Sequence, residues 1–92
     1  MKLIRYTLNA IGRETTFTLR VKDDAGPDEI RKRALGKLIV NLSRERGETL
    51  SQWARDLGYS KMHVHRVAYG RSENEKIRAH IEKRLGHKFW NE

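Results

Sequence analysis

The stretch Thr49–Gly70, TLSQWARDLGYSKMHVHRVAYG, decides the reading of this chain. It divides into two short helices joined by a tight turn, and every position such a pair must bury is apolar or small. Counted from Leu50, Ala54 falls fifth, Gly58 ninth, Val64 fifteenth and Val67 eighteenth. A small residue at Ala54 lets the second helix cross close above the first. Gly58 stands where the chain leaves the first helix, and a residue without Cβ adopts φ > 0 there at little cost. Val64 and Val67 are three apart, so they share one helical face. Trp53, Leu57 and Tyr59 supply the remaining inward positions. Thr49 followed by Gln52 forms a capping-box pattern, and Ser60 can cap the second helix. Ser60, Lys61, Met62, His65 and Arg66 are left facing outward.

Elements on both sides support this unit. A helix beginning near Pro27 has proline in its first turn, with Asp28 and Glu29 at the positive end of its dipole. Leu35, Leu38, Ile39 and Leu42 fall at i, i+3, i+4, i+7 and give it one buried stripe. Arg44 and Arg46 suit its negative end, and Gly47 can terminate it. Downstream, Ser72 with Glu75 reads as a second capping box. It opens a helix that buries Ile77, Ile81 and Leu85 and ends at Gly86. Phe89 and Trp90 are expected to form a final turn folded back on the core.

Residues 2 to 22 follow another period. Ile4, Tyr6 and Leu8 alternate with polar neighbours, as do Phe17, Leu19 and Val21, with the turn in Asn9–Arg13. This is the pattern of a β-hairpin with one apolar face. A lone hairpin is marginal in water, so that face must cover something: the helices of its own chain, or a second hairpin. Because its edges can also pair with another strand, Ile4, Tyr6, Leu8, Phe17, Leu19 and Val21 are the first candidates for a dimer interface. The chain is thus expected to be mainly α. Residues 1–26 form a hairpin arm with a short linker, and 27–92 form a unit of four to five helices.

Composition narrows the function. The chain is 92 residues long, so it forms one small domain. Its net charge of +8 points to a polyanionic partner. The charge is spread along the chain: 11 basic and 6 acidic residues up to Arg46, then 9 and 6. There are no cysteines, which fits a reducing, cytoplasmic compartment and excludes disulfides and thiolate zinc sites. The apolar run Leu38–Val40 is too short for a membrane span.

With these elements placed, the segment from Pro27 onward resembles the lambda repressor and Cro (XRE-type) helix-turn-helix family of DNA-binding domains. The likeness rests on a leading helix, on the Ala54, Gly58, Val64 and Val67 spacing, and on the exit Val67-Ala68-Tyr69-Gly70. The close at Leu85-Gly86, followed by Phe89-Trp90, is similar to that of small phage regulators of the Ner type. The resemblance covers about two-thirds of the chain and leaves the hairpin outside the common core. It implies sequence-specific binding of double-stranded DNA, usually by a homodimer, and transcriptional control, most simply repression at a palindromic operator. On that reading Ser60, Lys61, Met62, His65 and Arg66 face the bases. Arg66 is suited to guanine and Met62 to a thymine methyl. Many family members carry a polar residue where this chain has Leu50, so bracing on phosphate passes to Thr49 or Gln52. Arg71, Asn74 and Lys76 are further phosphate candidates, beside the start of a helix.

Other chemistries find little support. His63 and His65 point in different directions on a helix, and no neighbouring ligand completes a metal set. No nucleophile triad, phosphate loop or carboxylate cluster is present, so neither an enzyme nor a cofactor is expected. Two rival readings remain. One is an antitoxin-type module whose hairpin binds a protein partner and whose DNA binding is autoregulatory. The other is an architectural, excisionase-like factor.

Overall fold

The computed structural model describes residues 1–90. Two antiparallel strands, β1 (Lys2–Ala10) and β2 (Arg13–Val21), precede four helices: α1 (Pro27–Glu45), α2 (Leu50–Leu57), α3 (Lys61–Ala68) and α4 (Glu75–Leu85). The molecule is mainly α with an N-terminal hairpin. Positions 91 and 92, the end of the expected helical unit, lie outside the described residues.

The hairpin register pairs Ala10 with Arg13 and Lys2 with Val21, leaving Ile11-Gly12 as a two-residue loop. Both loop residues have positive φ, 52° and 75°. That is the type I′ turn whose twist matches its strands. The hairpin lies along α1. At its turn, Arg13 faces Glu45 at 3.9 Å, and its open end meets the first turns of α1. Nine strand residues at about 3.3 Å each match nineteen helical residues at about 1.5 Å each, so one element covers the length of the other.

This packing corrects one expectation. Leu8, Phe17, Leu19 and Val21 are buried in the core of their own chain, Leu19 completely. Ile4 and Tyr6 are half-buried and packed against that core. The hairpin's apolar face is therefore packed on α1, and four of the six residues expected at a dimer interface are buried within their own chain. The physical reason is area: a two-stranded sheet and a helix with an apolar stripe each need a cover, and each supplies the other's. What stays open is the pair of outer strand edges.

The helical core gathers the expected positions. Leu35, Leu38, Ile39 and Leu42 of α1 are buried, together with Trp53, Ala54, Val64, Val67, Ile77, Ile81 and Leu85. α1 is the hub: it touches both strands, α3 and α4. Gly36, in the middle of α1, has a specific reason. A Cβ there would sit 2.5 Å from Tyr69 Cγ, so only glycine lets the Tyr69 ring lie on α1.

The ends of the helices refine the sequence reading. α4 starts at Glu75, and its cap is Asn74, whose Oδ1 accepts from the Ile77 N–H at 3.0 Å. Ser72 and Glu75 do not form the expected box. Asn74 wins because asparagine is a strong cap and its amide is also tethered to His63. After Leu85 the chain makes no fifth helix among the described residues. Phe89 does fold back and is buried, while the N–H groups of Phe89 and Trp90 both donate to Glu82 Oε2, at 2.8 and 3.2 Å.

Candidate nucleic-acid interface

The α2–α3 pair is built by short-range chemistry. The Gln52 N–H donates to Thr49 Oγ1 at 3.1 Å, and the Thr49 N–H donates to Gln52 Oε1 at 2.9 Å, so the reciprocal capping box is formed. At the other end Gly58 adopts φ +79°, and the Tyr59 N–H reaches back to the Ala54 carbonyl at 2.9 Å. This is the Schellman closure, which satisfies the last carbonyls of α2 and turns the chain sharply. Ser60 then caps α3 by accepting from the His63 N–H at 3.1 Å. Gly58, Tyr59 and Ser60 thus carry the chain from one helix to the next.

α3 has two unlike sides. Val64, Val67 and Ala68 are completely buried. Lys61, Met62, His65 and Arg66 are exposed, Met62 by 62%. α3 contains no acidic residue, and neither Lys61 nor Arg66 is in an ion pair among the described residues. The exposed side therefore offers two uncompensated cations, an adaptable thioether and an imidazole on a helix about 12 Å long.

His65 is held in place. Its ring stacks on Tyr69 with centroids 4.4 Å apart and planes 25° apart. Tyr69 in turn rests on α1 over Gly36, so the position of an exposed side chain on α3 is set by a glycine in another helix. Partial burial, followed by the charges of Arg71 and Lys61, holds the imidazole below its usual 6.5, which leaves it neutral at pH 7. Burial raises the Tyr69 hydroxyl above its usual value despite the opposing fields of Arg33 and Arg44, so it stays protonated.

The other expected contact residues divide. Arg71 and Lys76 are exposed and in no ion pair among the described residues. Arg71 is fixed close to α3, because its N–H donates to the Arg66 carbonyl at 2.8 Å. Asn74 is not a free side chain: Oδ1 caps α4, and Nδ2 donates to His63 Nε2 at 3.3 Å. Thr49 is likewise occupied by its capping box, whereas Gln52 is exposed and its amide nitrogen forms no hydrogen bond among the described residues. Leu50 is buried, which accounts for an apolar residue at that place. His63 is half-buried between Asn74 and Tyr59, whose ring centroid lies 5.3 Å away, and its role is structural. No group of three or more potential metal ligands is gathered among the described residues. Among the described residues no helix is long and apolar enough to cross a membrane.

One stabilising cluster is not legible in the sequence. Glu48, in the α1–α2 connection, accepts from the Trp53 indole N–H at 2.7 Å and from Arg84 Nε and Nη2 at 2.8 and 2.7 Å. It thereby ties α2 to α4. The Arg84 hydrogen bonds first, and the Trp53 bond next, lower the Glu48 carboxyl from 4.5 to about 2. Arg84 is 36 residues away in the chain, so only the fold could reveal the pair.

No protein-family model, curated protein or solved structure matches this chain.

Proposed function

We propose that this protein is a sequence-specific regulator that binds double-stranded DNA through a helix-turn-helix formed by α2 and α3. The observation that carries the reading is the division of α3. Its buried residues are all apolar, while its outer side is free of acids and presents Lys61, Met62, His65 and Arg66 from a frame capped at both ends. An α-helix, about 10–12 Å across with its side chains, fits a major groove about 12 Å wide. Arg66 reads guanine through its forked donors, and Met62 meets apolar base edges. His65, neutral and stacked, offers a fixed donor or acceptor. Arg71, Lys76 and the Gln52 amide contact phosphates and set the register.

The simplest mode of action is repression in a bacterial cytoplasm, by a homodimer that occupies a palindromic promoter site. The two α3 helices would then enter successive grooves about 34 Å apart. With the hairpin's apolar face packed on α1, its outer strand edges are the candidate surfaces for pairing of two copies.

Selection of binding sites from a random duplex library, at near-physiological salt, tests this directly. The expected result is a palindromic consensus bound by two copies. Arg66→Ala should weaken binding by about 10- to 100-fold and lose discrimination at one position per half-site, as expected for a bidentate contact. Binding that is salt-sensitive but yields no consensus would overturn the reading, because net charge alone produces that behaviour.

A further inference from the structure

Beside the exit of α3 lies a cleft of about 600 Å³ between the open end of the hairpin, the first half of α1 and the residues after α3. Arg20 and Lys22 of the β2 end, Lys32 and Arg33 of α1, and Arg71 line it. Asp28 and Glu29 are its acids, and Asp28 is already paired with Lys32 at 3.2 Å. Arg20, Lys22, Arg33 and Arg71 form no ion pair among the described residues, so four cations face a single unpaired acid. The Arg33 Nε is shielded from solvent and has no hydrogen-bond partner in the protein. The Nε of Arg78, which does not line the cleft, is in the same state, so the cleft is distinguished by its uncompensated cations and not by this one atom.

We infer that this cleft holds the phosphodiester backbone of the duplex beyond the reach of α3, which makes the hairpin a backbone clamp. The inference rests on the proposed DNA binding and extends it to a surface built by the hairpin. Arg71 provides the continuity, since it lines the cleft while its N–H is bonded to the Arg66 carbonyl. A strand leaving α3 therefore meets Arg71 first, then the Arg33 and β2 cations. The cations come from three separate segments of the chain, an arrangement suited to an extended polyanion.

The test compares two charge-matched double variants, Arg20→Gln with Lys22→Gln and Lys83→Gln with Lys88→Gln. All four residues are exposed, so neither pair opens the core. For each, the dissociation constant on the selected duplex is measured across salt concentrations. The slope of log affinity against log salt changes by about 0.9 for each phosphate that is no longer neutralised. The hairpin pair should flatten the slope by about 1 to 2 and keep the consensus, while the α4-end pair leaves the slope as in the parent protein. Equal slopes for the two pairs would overturn the clamp. So would an unchanged slope combined with thermal stabilisation by millimolar inorganic phosphate that the hairpin pair abolishes, since the cleft would then serve a free anion. If the parent protein selects no consensus, the specific-regulator reading falls. The clamp then stands or falls on the difference between the two slopes measured on a random-sequence duplex of the same length.

Discussion

The α2–α3 pair and the β1–β2 hairpin are each two elements joined by a turn of two or three residues, yet they are held by different means. In the helix pair every joint is closed by neighbours in sequence: the Thr49–Gln52 box, the glycine at 58 and the Ser60 cap. In the hairpin the joint works against its own residue. Ile11 sits at φ 52°, a conformation that disfavours β-branched side chains, in a turn that prefers asparagine and glycine. What holds it is distant: Leu8, Phe17, Leu19 and Val21 buried against α1, the Ile11 side chain packed on the core, and Arg13 beside Glu45. Local signals thus suffice where a surface must present side chains accurately. Burial can override them where an element mainly needs a cover.

Four substitutions would break or sharpen this contrast. The largest effect is expected from Leu19→Ala, which empties a fully buried position between hairpin and α1. It should cost about 2–5 kcal/mol and lower a single cooperative transition in thermal unfolding followed by circular dichroism. Helices that melt unchanged after the hairpin has come apart would show that the hairpin is an appendage and not part of the core.

Gly36→Ala comes next. Alanine is favoured over glycine within a helix by about 1 kcal/mol. Here the new methyl meets the Tyr69 ring, and overpacking costs about 1–3 kcal/mol. Net destabilisation of about 1 kcal/mol is expected in urea unfolding, relieved when Tyr69→Leu is added. A stabilised Gly36→Ala would mean that Tyr69 does not need its seat on α1.

Ile11→Asn should act in the opposite sense. Relief of the left-handed conformation contributes about 1 kcal/mol, less the core packing that the isoleucine side chain gives up. A small rise in melting temperature is expected, and a fall would show that packing of Ile11 outweighs its strain.

The smallest effect at neutral pH concerns Glu48, and its signature is a pH profile. The folded-state carboxyl lies near 2 against an ordinary 4.5. Its contribution is therefore complete above about 4.5 and fades as pH falls toward 2, where the carboxylate takes up a proton. Glu48→Gln should flatten the dependence of melting temperature on pH across that window. An unchanged acid limb would place the sensitivity in other carboxylates.

The candidate interface is legible in the sequence to the extent that it is local. The exposed set on α3, the capping box, the turn at Gly58 and the buried stripes all follow from spacing. The cap of α4 does not, because Ser72 and Asn74 both suit the role and only the bond to His63 decides between them. The hairpin is legible as an element but not in its use, since alternation shows that a face is apolar and not what covers it.

Periodicity, caps and turn residues, which act over short spans of chain, determined the order and type of every element and the outward set Lys61, Met62, His65 and Arg66. Tertiary structure alone decided that α1 covers the hairpin, that Gly36 seats Tyr69 beneath His65, that Glu48 joins Trp53 to Arg84, and that Arg20, Lys22, Arg33 and Arg71 share one cleft. These contacts join residues far apart in the chain, and their energies depend on burial and charge proximity that exist only once the chain has folded.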